Sequence, residues 1–144
     1  LTGLAAEEGA NFPVTLLPYV DGQNLGVKGV PKLLRRAIRN LLENGQRYGQ
    51  GDMTLALQVA QEPVGGPWVL LSVSDHGPGV PNAHKTQIFE PFYRLPGASE
   101  TAGGVGLGLA LVKSIAERHG GAVWCEDAAE GGAKFVLRLP LTPL

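Results

Sequence analysis

The feature that most constrains this fold is a stretch of 29 residues, 76–104, that follows an apolar strand pattern and lacks a sustained periodicity of its own. It is rich in Gly and Pro, and only residues 83–87 show a short helical pattern. Loops of this length are uncommon inside compact domains, where they are usually functional lids or disordered segments. The rest of the chain must therefore build a stable scaffold around one long loop.

The scaffold combines strand and helix patterns. Strand patterns cover 12–19 (with the apolar run 14–17), 24–28, 53–59, 68–75, 122–125 and 134–139. A helix is predicted over 31–48, where Leu34, Ile38 and Leu41 share one stripe, and a second over 107–118. Because the helices do not alternate strictly with the strands, this order predicts an α+β fold with one mixed sheet and helices on one face.

The composition limits which classes of protein this chain can belong to. The 144 residues, with 44% hydrophobic and 17% charged side chains, predict one packed globular domain over 1–144. The net charge of -1 indicates neither a nucleic-acid binder nor a membrane-surface binder. The single cysteine, Cys125, cannot form an internal disulfide, and we expect it to be a small buried residue on a strand.

The chain begins without Met and without the basic start of a signal peptide, so we expect a fragment of a longer protein. No apolar run approaches the roughly 18 residues of a membrane span. We therefore expect the fragment itself not to be membrane-embedded, although the parent protein could be membrane-anchored.

The first helix carries polar side chains on a face otherwise set by leucine and isoleucine. Asn40 and Asn44 are four residues apart and share that face. An amide oxygen is a suitable ligand for Mg²⁺, which completes its octahedron with waters and phosphates. Arg47 offers a forked donor to phosphate oxygens, and Tyr48 offers a ring and a hydroxyl. The alternative is that the two amides only cap or bridge neighbouring backbone.

Asp75 ends an apolar strand and is followed by His76-Gly77-Pro78-Gly79. Its parity matches the probable buried face of that strand, so its carboxylate needs a donor. The exocyclic amine of adenine is such a donor, and Gly77 and Gly79 let the backbone approach a flat ring. A plain turn explains this segment equally well when it is taken alone.

A glycine-rich segment, 103–109, opens the second helix with glycines at 104, 106 and 108. Free backbone N–H groups at a helix N-terminus bind phosphate, and Gly permits close approach. The spacing differs from the dinucleotide G-x-G-x-x-G pattern and from the P-loop. In the preceding loop, Phe89 and Phe92 could anchor a lid to the core, and Arg94 could reach a triphosphate or remain a solvated residue.

Two further groups have plainer interpretations. The basic residues of the first helix favour a solvated face, with docking of an acidic partner as the alternative; they are Lys32, Arg35, Arg36 and Arg39. The three histidines, His76, His84 and His119, lack metal-site spacing, so we expect solvated or loosely hydrogen-bonded rings.

Taken in order, four segments resemble the N, G1, F and G2 boxes of the histidine kinase branch of the GHKL ATPases. They are Asn40-Leu41-Leu42-Glu43-Asn44-Gly45, Asp75-His76-Gly77-Pro78-Gly79, Phe89-Glu90-Pro91-Phe92-Tyr93-Arg94 and Gly104-Val105-Gly106-Leu107-Gly108-Leu109. The resemblance covers roughly residues 25–140, including His119-Gly120-Gly121 and Gly131-Gly132. The combination of motifs is similar to that of membrane sensor kinases of the osmosensor type. Four motifs in this order are far more specific than any one.

The resemblance implies a Bergerat fold: a two-layer α/β sandwich with a mixed, mostly antiparallel sheet, three helices on one face and an ATP lid over about 76–104. It implies that ATP and Mg²⁺ bind, with Asp75 on adenine, Asn44 on Mg²⁺, and Arg47 and Arg94 at the phosphates as catalytic residues. The other implied nucleotide-binding residues are Asn40, Tyr48, Gly77, Gly79, Phe89, Gly104, Val105, Gly106, Leu107 and Gly108.

One position separates the branches of this superfamily. Gyrase and chaperone ATPases carry a water-activating Glu four residues before the Mg²⁺-binding Asn, where this chain has Asn40. Glu43 is offset from Asn44 by about 100° on a helix and is a poor substitute. The resemblance therefore favours phosphoryl transfer to a protein histidine over hydrolysis. A GHKL-type ATPase and a non-catalytic nucleotide-sensing module remain the alternatives.

The implied partners are a dimerisation and phosphoacceptor domain, absent from this chain, and a response regulator. The resemblance places the domain in the cytoplasm, as part of an inner-membrane-anchored sensor kinase. It also implies a monomeric fragment and a homodimeric full-length protein.

Overall fold

The computed structural model describes residues 1–12, 14–16, 26–48, 53–61, 64–93, 107–129 and 131–142, with only the backbone of residues 2, 14–16 and 48. Three α-helices are present in this part of the chain: α1 (Thr2–Gly9), α2 (Pro31–Tyr48) and α3 (Gly108–Arg118). The strands are β1 (Val14–Leu16), β2 (Met53–Ala60), β3 (Trp68–Ser74), β4 (Ala122–Asp127) and β5 (Ala133–Pro140). Two short 3-10 turns, Asn82–His84 and Gln87–Phe89, follow β3.

The strands form one sheet in the order β1-β2-β3-β5-β4. β1 pairs with β2 in parallel, and all other neighbours are antiparallel. The expected α+β fold with a mixed, mostly antiparallel sheet is confirmed. Leu71 lies between Leu57 and Leu137 in the register, so three strands present apolar side chains to the same layer.

The core lies between this sheet and the helices. Ile38, Leu41 and Leu42 of α2 are completely buried, and each contributes about 2 kcal/mol through burial of apolar surface. Pro31 begins α2, as expected of a residue with a fixed φ and no N–H. The carbonyl of Val30 accepts from the N–H groups of Leu33 and Leu34 and closes the first turn.

The helix α1 was not predicted from the sequence pattern. It lacks a strong apolar stripe, and it is held to α2 by charge as well as by Ala5, which is buried. Glu8 is only 2% exposed and accepts hydrogen bonds from Arg39 Nε (3.1 Å) and Nη2 (3.3 Å). These hydrogen bonds raise the pKa of Arg39. Arg35 pairs with Glu7 at 2.9 Å.

These ion pairs refine the interpretation of the basic residues on α2. A purely solvated face is wrong for Arg35 and Arg39, because their acidic partner is α1 of the same chain. Lys32 and Arg36 are exposed, as expected.

Other element boundaries move by a few residues. The strand expected over 24–28 is wrong for residues 26–28, which have no strand structure, and the rest of it lies outside the described chain. The short helical pattern near 83–87 corresponds to the two 3-10 turns. Among the described helices, none is long and apolar enough to cross a membrane.

Candidate functional site

Asp75 lies directly after β3 and is 5% exposed. Its backbone N–H donates to the carbonyl of Ala133 at 2.9 Å. Its Oδ1 accepts from the backbone N–H groups of Gly77 (2.9 Å) and Ala133 (3.1 Å). Oδ2 has no hydrogen-bond partner among the residues that the structure describes. One carboxylate oxygen therefore fixes the side chain, and the other remains available to a ligand donor.

The turn before β5 is shaped around Asp75. Gly132 has φ +90°, and a Cβ there would lie 2.2 Å from the carbonyl oxygen of Asp75 and 2.8 Å from its Oδ1. Only Gly can occupy this position without displacing the carboxylate. Gly79 has φ +78° and lies against the backbone of Gly132. The β4–β5 turn and the Asp75–Gly79 segment are thus packed backbone to backbone.

We call Asp75, Gly77, Gly132 and Ala133 the base half of the site, after the expectation that Asp75 binds adenine. The contribution of Gly132 and Ala133 was not predicted, although the Gly131-Gly132 pair was noted as part of the family resemblance. Ala133 reaches Asp75 only because β3 pairs with β5. The two residues are 58 positions apart in sequence, so no local pattern predicts this donor.

The second half of the site lies on α2 and at the start of α3. Asn40 is half-buried, and its Nδ2 donates to the carbonyl of Gly108 at 3.2 Å. Asn44 is half-buried one turn later, and its amide makes no hydrogen bond within the described part of the chain. Arg47 is exposed in the last turn. We call Asn40, Asn44, Arg47 and Gly108 the phosphate half, after the expectation that these residues lie near the phosphates.

The two halves are adjacent because α2 packs on β3. Gly45 follows Asn44, and a Cβ on Gly45 would lie 3.6 Å from Val73 Cγ1. Val73 is two residues before Asp75, so the helix with the two amides lies against the strand that ends at the carboxylate. That these motifs form one nucleotide site stays a prediction.

Phe89 is 6% exposed and packs edge-to-face against Phe135, with ring centroids 6.2 Å apart. This contact anchors the second 3-10 turn to β5, as expected of a lid anchor. Phe92 instead is 68% exposed, with φ 66°. The expectation that it also anchors the lid to the core is wrong, since its ring faces solvent.

Several predicted site residues lie outside the described part of the chain. They are Arg94, Gly104, Val105 and Gly106, together with the side chain of Tyr48. Leu107 is described and is 43% exposed directly before α3.

Two polar contacts near the site were not predicted. Lys85 Nζ donates to Asp127 Oδ1 at 2.8 Å and ties the segment after the first 3-10 turn to the end of β4. His84 Nδ1 is hydrogen-bonded to the hydroxyl of Tyr93, a partner that was not predicted, although a hydrogen-bonded ring was one of the two expectations for this residue. His76 is exposed, in agreement with its interpretation as a solvated ring.

Cys125 is buried on β4, as expected. Burial raises the pKa of its thiol to about 11. The described residues contain no cluster of three His, Cys, Asp or Glu side chains that could hold a metal ion.

The geometry defines an α+β domain in which a buried carboxylate at a strand end adjoins a helix with two amides. Comparisons with known proteins agree with this class. The family described as histidine kinase-, DNA gyrase B- and HSP90-like ATPase matches residues 29–143. The chain belongs to this family, and within it is similar to the ATP-binding domains of sensor histidine kinases.

Two relatives illustrate the match. The sensor histidine kinase GtrS of Pseudomonas aeruginosa is 44% identical over 112 residues, which cover 78% of this chain and 22% of that protein. The sensor protein RstB of Escherichia coli is 40% identical over 111 residues, which cover 76% of this chain and 24% of that protein. The chain thus spans about a quarter of the length of these curated relatives.

Solved structures extend the agreement to the fold. The ATP-binding domain of PrrB from Mycobacterium tuberculosis has a TM-score of 0.73 at 30% identity, with 99% of this chain and 94% of that chain covered. The histidine kinase domain of the Escherichia coli osmosensor EnvZ has a TM-score of 0.68 at 28% identity, with 100% of this chain and 88% of that chain covered. The expected family and fold class are confirmed.

Proposed function

We propose that this chain binds Mg-ATP and donates the γ-phosphoryl group to a histidine on a separate dimerisation and phosphoacceptor domain. The observation that carries this proposal is the engagement of Asn40. Its amide donates to Gly108 and ties α2 to α3, at the position where hydrolysing relatives are expected to hold a water-activating Glu. A neutral amide cannot take a proton from water, so the site favours transfer to a protein nucleophile over hydrolysis.

Adenine recognition is assigned to Asp75. Two backbone donors hold its Oδ1, which leaves Oδ2 to accept the exocyclic amine of the base. Because Asp75 is buried, an amine that binds there meets a desolvated carboxylate, and charge-assisted hydrogen bonds are strong in such surroundings. Gly77 and Gly79 border this position and let the ring come close to the backbone.

The Mg²⁺ ligand is assigned to Asn44. Its amide is half-buried and has no hydrogen-bond partner in the described chain, which fits a single neutral protein ligand. Mg²⁺ keeps several waters and takes its remaining ligands from phosphates, so one amide oxygen is sufficient on the protein side. The metal supplies charge neutralisation on the phosphates when bound.

Arg47, on the same helix face as the amides, is exposed and is assigned to the phosphates together with Arg94. Gly104, Val105, Gly106, Leu107 and Gly108 are assigned to the phosphate loop. Tyr48 and Phe89 are assigned to the margin of the nucleotide, Phe89 through its position at the anchored end of the lid. These residues would orient the γ-phosphoryl group, because phosphoryl transfer depends mainly on positioning and charge stabilisation.

Exposed apolar side chains support a protein partner. Phe92, Leu107 and Leu111 are exposed by 68%, 43% and 42%. Leu107 and Leu111 lie one helical turn apart at the start of α3, and exposed apolar side chains grouped in this way mark interaction surfaces. We assign this surface to the phosphoacceptor domain, with a response regulator as the later recipient of the phosphoryl group. The parent protein would be a homodimeric sensor kinase anchored in the inner membrane, with this domain in the cytoplasm.

The test mixes this chain with a separately produced dimerisation domain and ATP labelled at the γ position. We expect an acid-labile, base-stable label on a histidine of the partner and no label on this chain. The Asn44→Ala variant is the matched control and should transfer at least about tenfold more slowly.

Two results would contradict the proposal. ATP binding by calorimetry without any label on the partner would favour a nucleotide-sensing module. Appreciable phosphate release by the isolated chain would favour an ATPase.

A further inference from the structure

His119 follows α3, and both of its ring nitrogens are engaged. Nδ1 lies 2.7 Å from the carbonyl of Ile115, and Nε2 lies 3.1 Å from the backbone N–H of Val30. A carbonyl can only accept and a backbone N–H can only donate, so the ring is neutral with its proton on Nδ1. His119 therefore bridges the end of α3 to a residue 89 positions away in sequence.

The residue that His119 contacts is Val30, which directly precedes α2. Val30 closes the first turn of α2 through its carbonyl, while its own N–H is accepted by the imidazole. Gly29 makes this contact possible, because a Cβ there would lie 2.3 Å from the ring Cδ2 and 2.6 Å from Nε2. The imidazole thus packs directly on the backbone that leads into α2.

α2 and α3 are also linked at the opposite end of α3. Asn40 donates to the carbonyl of Gly108, the first residue of α3. One polar contact thus fixes α3 at its start and another fixes it at its end. The start of α3 belongs to the phosphate half of the site, whereas His119 lies at the far end of the helix. A rise of about 1.5 Å per residue over 11 residues separates the two contacts by roughly 16 Å.

We propose that His119 is a positioning residue for the phosphate half of the nucleotide site. Its hydrogen bond to Val30 sets the rotation and axial position of α3 against α2, and so sets where Gly108 stands relative to Asn40 and Asn44. This inference rests on the proposed function, because it assigns phosphates to that half. It predicts that loss of the Val30 contact weakens binding of the phosphates and leaves binding of the base unchanged.

Two near-isosteric variants separate the two hydrogen bonds. In His119→Gln the amide oxygen is as many bonds from Cα as Nε2 and can still accept from Val30. In His119→Asn the amide nitrogen is as many bonds from Cα as Nδ1 and can donate only to Ile115. His119→Ala removes both contacts, and Arg118→Gln, an exposed neighbour, is the control.

Calorimetry measures the affinity of each variant for Mg-ATP and for adenosine. We expect His119→Asn and His119→Ala to lose about three- to tenfold in affinity for Mg-ATP, while adenosine affinity stays within twofold of wild type. His119→Gln and Arg118→Gln should match wild type for both. Equal losses for ATP and adenosine would mean a general loss of stability, and equal behaviour of the Gln and Asn variants would exclude the Val30 contact; either result overturns the proposal.

The contact itself can be tested without nucleotide. Hydrogen exchange at the Val30 amide should be fast in His119→Asn and slow in wild type and His119→Gln, and fast exchange in wild type would also overturn the inference. If wild type binds no ATP although this amide is protected, the proposed function fails while the His119–Val30 contact stands. If His119→Ala does not fold, the Gln and Asn variants still decide the question.

Discussion

The base half and the phosphate half of the site are built differently. In the base half, Asp75 is buried and two backbone N–H groups hold it, beside a glycine that no larger residue can replace. In the phosphate half, Asn44 is half-buried and Arg47 is exposed, and neither is held by a hydrogen bond within the described chain. The fold thus holds in place the carboxylate assigned to the base, whereas the groups assigned to metal and phosphate would gain their partners from the ligand.

This contrast has an energetic meaning. A preorganised group has already lost its conformational freedom in the folded protein, so its ligand bears little further ordering cost. A side chain such as Arg47 loses on the order of 1 kcal/mol of rotamer entropy when it is immobilised by a ligand. A substitution that disturbs the packing of the base half, as at Gly132, should therefore affect the fold itself, and substitutions at Asn44 and Arg47 should affect binding alone.

The largest effect is expected at Gly132. Gly132→Ala would place a Cβ 2.2 Å from the carbonyl oxygen of Asp75 at a φ of +90°. Relief requires movement of backbone in both segments, so we expect a loss of about 2–4 kcal/mol in the free energy of unfolding. Urea denaturation followed by circular dichroism measures this loss.

Gly131 provides a matched control. Its φ is +94°, but a Cβ there meets nothing within 4 Å. Gly131→Ala should therefore cost only the backbone strain, about 1 kcal/mol. Equal costs at the two positions would show that contact with Asp75 does not restrict Gly132, and the base half would then not be rigidly built.

The next effect is expected at Asp75. In Asp75→Asn the amide oxygen can keep both backbone donors, from Gly77 and Ala133, and so preserve the fold. The amide nitrogen would then replace Oδ2 and present a donor to the donor amine of adenine. We expect at least a tenfold loss of ATP affinity by calorimetry, because a mispaired buried polar group costs about 1–3 kcal/mol.

The same variant also tests base selectivity. Guanine has a carbonyl where adenine has its amine, so the ratio of ATP to GTP affinity should fall in Asp75→Asn. An unchanged ratio, or wild-type ATP affinity, would remove Asp75 from base recognition.

Asn44 should show the binding-only behaviour of the phosphate half. Asn44→Ala should lower ATP affinity about tenfold or more in the presence of Mg²⁺ and by less than twofold when Mg²⁺ is chelated. The free energy of unfolding should change by less than about 0.5 kcal/mol, since no described hydrogen bond is lost. Gln46→Ala, an exposed substitution two residues further along α2, is the control for helix propensity. Equal losses with and without Mg²⁺ would make Asn44 a structural residue.

The sequence predicts the parts of the molecule that depend on local patterns better than the parts that depend on contacts between distant residues. The apolar stripe of α2 and the alternation of β2 are local patterns, and both elements appear within one or two residues of the expected bounds. The donors to Asp75 are non-local, because Ala133 reaches it only through the pairing of β3 with β5. A buried carboxylate at a strand end predicts that a donor exists; it does not reveal that the chain itself supplies two.

α1 and His119 show a second limit of sequence reasoning. The short α1 is held in place by the partners of Glu8, Arg35 and Arg39, which lie 27 and 31 residues away on α2. The sequence of α1 has no periodicity that predicts these contacts. His119 belongs to a turn, where a solvated ring is the ordinary expectation. Only the packing of α3 on α2 brings its Nε2 to Val30.

The smallest effect is expected at Cys125, and it tests whether the base half is dry. The thiol is buried beside Phe135 in the strand register, and burial raises its pKa to about 11 from an ordinary value of 9.0. Alkylation by iodoacetamide at pH 8 should therefore be at least about tenfold slower in the folded chain than in urea, because the thiolate is the reactive form.

Since the pKa of the Cys125 thiol is raised in the folded state, the thiol's contribution to stability is complete below about pH 9 and is lost as the pH rises toward 11. The decline in unfolding free energy over that window should be absent in Cys125→Ala after the shared titration of lysines and tyrosines is subtracted. Rapid alkylation of the folded chain at pH 8 would mean that water reaches β4 two residues from Asp127, the register partner of Ala133, and would argue against a dry base half.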